Sequence, residues 1–290
     1  MKMKKILTIS FLLLLTISFK NVSALEDDII IVNKNNVSIT EERYLELMDA
    51  GYTIDDIYNM DLETYNNANT NNENIASETK YFKTITTTRY GNTNTETIEV
   101  TEEEFNEGDN GNISIYASGT VETSYKKLVA SITPSTTHPN RMKYRVYMYW
   151  KTLPSVRSYD IIGMGFDSMV VERATSPEFY QLYTRDGYTY TSYQAYLKDF
   201  TNGSGAVFQL PTNVTTISQD FTFEVLKRNP NETVTRQTSA GDYAHAIETV
   251  NGSTANNNYY AGLSGLSLYS AISSKYDGMS AAQVIWDGSW

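Results

Sequence analysis

Two histidines, no cysteine and 34 acidic residues set the chemistry open to this 290-residue chain. His245 lies in Gly241-Asp242-Tyr243-Ala244-His245-Ala246-Ile247-Glu248. On a strand, side chains alternate between faces, so His245 shares one with Tyr243 and Ile247, while Asp242 shares the other with Glu248. On a helix, His245 and Glu248 would be neighbours able to share a metal or a proton. The surrounding pattern favours the strand, and a hydrogen-bonded structural histidine over a catalytic one. Asp242, Tyr243 and His245 are the acid–base candidates if the chain is a hydrolase or lyase. His138, in Thr136-Thr137-His138-Pro139-Asn140, reads as a loop residue.

Zinc sites draw on thiols and several histidines, which are missing here, and no His-Glu-x-x-His occurs. Loops such as 107–112 are rich in oxygen ligands for calcium, but none has the EF-hand spacing. Gly203-Ser204-Gly205 and Gly262-Leu263-Ser264-Gly265 are fragments of a nucleophile elbow. The complete Gly-x-Ser-x-Gly would need glycine where Leu266 stands. Gly163-Met164-Gly165 lacks the third glycine and the helix of a dinucleotide site, so it marks a bulge or a close strand crossing. No catalytic residue, metal or cofactor is assigned. Glycosidase carboxylates are defined by their separation in the fold, so they cannot be picked out of so many acids.

A binding face is easier to see. Met142, Tyr144, Val146, Met148 and Trp150 alternate with Lys143, Arg145, Tyr147, Tyr149 and Lys151. The first set predicts a core face. The second predicts a solvent face, cationic and aromatic, suited to stacking on sugars or gripping an anionic polymer. An ordinary half-buried strand carries the same alternation and is the plainer account.

These residues need elements to position them. At the N-terminus, Lys2, Lys4 and Lys5, the apolar run from Ile6 to Phe19, and Val22-Ser23-Ala24 predict a secretory leader over residues 1–24, cleaved before Leu25. The apolar run falls short of the roughly 20 residues a membrane span needs. No later segment is apolar enough to cross a membrane. A thiol-built lipid anchor is excluded, and the C-terminal residues carry no wall-sorting pattern. Loss of the four leader lysines (Lys2, Lys4, Lys5, Lys20) takes the net charge from −11 to about −15. That charge repels nucleic acid and anionic lipid, so no nucleic-acid partner is expected. Without disulfides, stability must come from packing, hydrogen bonds or bound ions.

Residues 25–65 read as a short helical unit. Ser38-Ile39-Thr40-Glu41 fits a capping box, Tyr44, Leu45 and Met48 follow at helical spacing, and Gly51 sits at the C′ position. Further starts are read at Thr53 and Asp61. Six asparagines within residues 66–74 predict a linker over 66–76. From 77 to 290 the period changes to that of strands. Tyr outnumbers Phe by 23 to 10, which suits sheets whose rings pack while their hydroxyls reach water. A hairpin is read across Gly91 to Asn94 and a helical turn capped by Thr101. Strands are read over 112–118, 120–132, 141–152, 158–173, 178–184, 188–198, 205–210, 218–227, 232–238, 242–250, 257–261, 266–273 and 282–287. Short spacing without intervening helices predicts a mainly β fold, an antiparallel β-sandwich-like domain.

Gly51-Tyr52-Thr53-Ile54-Asp55-Asp56-Ile57-Tyr58-Asn59-Met60 resembles an N-terminal segment of exported proteins from Gram-positive spore-forming bacteria. Arg157-Ser158-Tyr159-Asp160-Ile161-Ile162-Gly163 and Asp242-Tyr243-Ala244-His245-Ala246 are similar to segments of the same group. The resemblance spans most of the mature chain. It implies a secreted bacterial protein. The group has no established activity, so the resemblance assigns no catalytic residue.

Three functions fit. The first is a secreted, non-enzymatic protein binding a glycan, a wall polymer or a host protein through its tyrosine-rich sheet. The second is a secreted hydrolase or lyase using carboxylates with Tyr243 or His245. The third is a toxin or membrane-active protein in which residues 29–65 serve as a pro-segment.

Overall fold

The computed structural model describes residues 30–40, 43–44, 46–47, 57–58, 60, 62–67, 76–90, 92–108, 114–116, 119–135 and 138–290. The leader, the start read at Thr53 and the cap read at Asp61 lie outside these residues.

The first described element is a hairpin of β1 (Ile30–Val32) and β2 (Ser38–Thr40). This corrects the helical reading of that stretch. The Thr40 hydroxyl accepts a hydrogen bond from the N–H of Arg43, a helical residue. Ser38 is an exposed strand residue, while Ile39 turns inward. Asn33 ties the unit together, its amide donating to the carbonyls of Ile57 and Met60. Residues 43–44, 46–47 and 57–58 are helical, and α1 (Leu62–Asn67) follows.

Next come β3 (Ala76–Arg89), β4 (Asn92–Val100) and α2 (Glu102–Glu107), with Thr101 capping α2 as its spacing predicts. Then follow β5 (Ser114–Tyr116), β6 (Gly119–Pro134), β7 (Met142–Thr152), β8 (Tyr159–Phe166) and β9 (Val171–Arg173). After these run β10 (Glu178–Arg185), β11 (Tyr188–Ser192), β12 (Tyr196–Phe200), β13 (Gly203–Gln209) and β14 (Thr216–Lys227). The chain closes with β15 (Arg236–Ala244), α3 (Gly252–Asn257), β16 (Tyr259–Gly262), β17 (Gly265–Leu268) and β18 (Ala282–Asp287).

All strand pairings among the described residues are antiparallel. The larger sheet has the order β11-β10-β14-β7-β6-β3-β4, with β5 beside β6 and β9 beside β14. The smaller has the order β12-β13-β8-β15-β18. The two pack as a sandwich around Leu128, Ile132, Val146, Met148, Ile162, Met164, Phe208, Phe221 and Phe223. The mainly β, antiparallel expectation therefore holds.

The strands read over 232–238 and 242–250 are a single strand, β15, which ends at Ala244, and two further strand readings differ for physical reasons. Residues 158–173 break at 167–170, where the Asp167 carboxylate accepts the Met169 N–H and turns the chain. Residues 188–198 belong to two strands in different sheets, β11 and β12, because 193–195 cross the edge of the sandwich.

The glycine pair in β8 marks a close crossing. Gly163 pairs with Gly205 and Gly165 with Gly203, giving a four-glycine floor on the smaller sheet. The β16–β17 hairpin lies directly on it, so a Cβ at Gly165 would collide with the Gly262 backbone. Beneath the hairpin and α3, Ile161, Val207, Ala255, Tyr259 and Ile272 form a second core. With both faces covered, β8 needs no polar alternation, hence its nearly continuous apolar run.

Candidate functional site

The outer face of β7 is not open as its alternation predicts. Arg145 is 1% exposed. Its Nε and NH2 donate to Asp220 Oδ2 at 2.8 and 2.5 Å. Tyr180 donates its hydroxyl to the same oxygen at 3.2 Å, and the Thr222 hydroxyl donates to Oδ1 at 3.0 Å. The Arg145 guanidinium lies 5.0 Å from the centroid of the Tyr147 ring. Tyr44 of the N-terminal unit is buried beside this group; its phenol is pushed up first by burial and then by the nearby Tyr147 and Asp220. Lys151 turns back to the carbonyls of Phe105 and Asn106 at the end of α2. Lys143, Tyr147 and Tyr149 are half-buried. The expected solvent patch Lys143, Arg145, Tyr147, Tyr149 and Lys151 is thus corrected to a largely enclosed face. A strand pattern reports alternation but not what later packs on either side.

The second candidate group does come together, inside the protein. Tyr243 and His245 both reach Asp160: the Tyr243 hydroxyl donates to Oδ2, and His245 Nδ1 lies 3.1 Å from Oδ1. The Ala246 N–H also donates to Asp160 Oδ1 at 3.1 Å. Trp150 Nε1 donates to the Tyr243 hydroxyl at 3.1 Å, and its ring meets His245 edge-on. Tyr243 lies in β15 and His245 just past its end, and both side chains turn to Asp160. His245 is only 2% exposed. Its bonds to Asp160 tie the segment just after β15 to β8.

Asp242 faces the opposite way, under the β16–β17 hairpin. It accepts the N–H groups of Tyr243 and Leu266, each at 2.7 Å. Burial pushes its carboxyl up to about 7, against these two N–H groups, which favour the anion.

Sequence reasoning missed Asp160, Asp220, Lys126 and Asp277. Asp160 carried a usable signal, a carboxylate abutting the apolar run Ile161-Ile162. Lys126 carried a misleading one, since Lys126-Lys127 reads as a solvated pair. A bulge between Tyr125 and Lys126 in the β6–β7 ladder sets Lys126 opposite Trp150, on the inner face. Ser204, in one elbow fragment, is buried and bonds to Asp199 at 2.6 Å and to Arg173 at 3.3 Å. His138 lies in the β6–β7 turn with its Nδ1 2.9 Å from Glu224, which also holds Arg141 and Ser135. Among the described residues, no group of three or more His, Cys, Asp or Glu side chains is placed to hold a metal. Nor is any helix there long and apolar enough to cross a membrane.

The exposed aromatic surface lies elsewhere. Among the described residues, five of the eleven exposed large apolar side chains fall within 188–197: Tyr188, Tyr190, Tyr193, Tyr196 and Leu197. They follow β11, the crossing segment and β12, so they line one edge of the sandwich. Tyr190 stacks on Tyr183 with ring centroids 5.5 Å apart, and Tyr196 lies 6.1 Å from Tyr159. Tyr193, between these pairs, is 69% exposed.

No protein-family model matches the chain, and no curated protein does. One solved structure, described as "pH-induced modulation of Streptococcus parasanguinis adhesion by Fap1 fimbriae", is 12% identical, with 56% of this chain and 80% of that chain covered at a TM-score of 0.24. A superposition that loose carries no argument about fold or function.

Proposed function

We propose that this protein is an extracellular, non-enzymatic binding protein that holds a neutral polysaccharide against its tyrosine-lined edge. The observation that carries this reading is the concentration of exposed tyrosines on β11, the crossing segment and β12. Residues 188–197 contain no charged side chain, in a protein with a net charge of −11. Tyrosine rings interleaved with Thr, Ser and Gln offer flat apolar faces for sugar C–H groups and polar atoms for sugar hydroxyls. An anionic polymer would find no cation in this stretch, and a dry protein interface would leave its hydroxyl and amide groups unpaired. The leader expected over residues 1–24 supplies the extracellular setting. The enclosure of His245 and Tyr243 favours this reading over a hydrolase.

The test is co-sedimentation of the purified protein with insoluble neutral polysaccharides and with cell-wall material. Tyr190→Ala combined with Tyr193→Ala should abolish retention while the melting temperature stays within a degree or two of the parent's. Retention unaffected by the double substitution, or capture by protein-coated beads alone, would overturn the proposal.

A further inference from the structure

We infer that Lys126 and Asp277 become joined by an amide bond, formed inside the folded chain with loss of one water. The two residues lie 151 positions apart, on β6 and just before β18. Lys126 Nζ touches Asp277 Oδ2, and both side chains are 0% exposed. The amine sits between aromatic rings, 5.0 Å from the Trp150 centroid and 5.7 Å from that of Tyr243. The carboxylate is held at both oxygens. Oδ1 accepts the His245 N–H at 2.8 Å, and Oδ2 accepts the Thr97 hydroxyl at 3.2 Å.

This arrangement has the parts of an acyl transfer. A proton passed from ammonium to carboxylate across their contact leaves an amine against an acid. Nζ then adds to Cγ. Negative charge gathers on Oδ1, where the His245 N–H already points. The Cγ–Oδ2 bond breaks as the Nζ–Cγ bond is completed. Oδ2 departs as water with two of the three ammonium protons, and Thr97 is bonded to it throughout. The third proton stays on the amide nitrogen. Atoms and charge balance without oxidant or cofactor, and confinement of the two groups in contact supplies the proximity such a step requires. The product replaces two buried charges with a neutral amide. It also closes a long loop in a chain that has no cysteine to do so.

Mass spectrometry of the full, denatured chain tests this directly. The expected mass is one water below that of the sequence, with the peptides bearing Lys126 and Asp277 recovered as one branched species. Asp277→Asn should react with loss of ammonia instead, giving a product of the same mass as the cross-linked parent. Lys126→Arg, which keeps the positive charge, should show its full sequence mass. Separate, unmodified peptides from the parent would leave only an ion pair and overturn the inference. So would a missing water confined to the Asp277-Gly278 peptide, the mark of a succinimide, or the same deficit in Lys126→Arg.

Discussion

Arg145 and Asp220 meet on the outer face of the larger sheet through two hydrogen bonds to a single carboxylate oxygen, with almost no solvent at either residue. Strands β7 and β14 make them diagonal neighbours on one face, two residues out of register, since Arg145 pairs with Thr222 and Asp220 with Tyr147. A guanidinium that looks like a free binding group on its strand is therefore committed to the interior.

Removal of one partner should be costly, because the other charge stays buried without compensation. Asp220→Ala is expected to lose about 3–5 kcal/mol of unfolding free energy in urea titrations. The paired replacement Arg145→Met with Asp220→Leu should lose markedly less, since no charge is then stranded. Equal losses would show that the pair is open to solvent in the native state.

The glycine floor makes a second test. At Gly165 an added methyl would strike the Gly262 backbone, which cannot move without lifting the β16–β17 hairpin. Gly165→Ala should destabilise by roughly 1–3 kcal/mol or more and raise proteolysis within 259–268. At Gly187 a Cβ meets nothing within 4 Å, but φ is +79°. Gly187→Ala should therefore cost only about 1 kcal/mol, through backbone strain alone. Differential scanning calorimetry on the two variants would separate collision from strain.

Asp242 gives stability a pH dependence of known sign. Its folded carboxyl titrates at about 7, against a reference value of 3.8. Between these values the native state holds a proton that the unfolded chain has released. The unfolded state binds fewer protons, so stability falls as pH rises from about 4 to about 7 and levels off above that. Glu224, Glu99 and Asp199 are shifted down, and each adds stability as pH rises through the lower range. Their slope is opposite, so the parent's curve is a sum. The difference between parent and Asp242→Asn, measured by denaturant titration from pH 4 to 8, isolates the descending part. Parallel curves would show that Asp242 is not protonated in the folded protein.

Salt separates the tyrosine edge from any ionic mode of binding. Contacts made by uncharged rings, hydroxyls and amides are not screened, so retention on polysaccharide should be unchanged between low salt and about 1 M. A steep loss of retention with salt would move the binding surface to a charged region of the protein.

Much of the architecture was legible in the residues. Period-two alternation located β7, and the inward set Met142, Tyr144, Val146, Met148 and Trp150 is the one buried. The spacing of Thr101 and Glu104 located α2, and the glycine pair at 163 and 165 announced a close crossing. These features are local: each depends on residues a few positions apart, and the period of a strand or the reach of a cap is fixed by backbone geometry. Ser38 was misread because a capping spacing also occurs in strands, and the pairing with Val32 that decides the matter lies outside the window.

What the sequence determined by itself was therefore the kind of element, the hydrophobic inner face of each long strand and the lack of any disulfide. Which outer face stays open was decided only in three dimensions. Burial depends on what returns from far along the chain: Tyr44 and Asp220 to Arg145, Asp160 to His245, Asp277 to Lys126. The three aspartates come into hydrogen-bonding distance of groups 75 to 151 positions away, and no periodicity encodes them. The same closure that enclosed the cationic strand face left the tyrosines of 188–197 outside, because β11 and β12 are the end strands of their sheets and no further strand covers them.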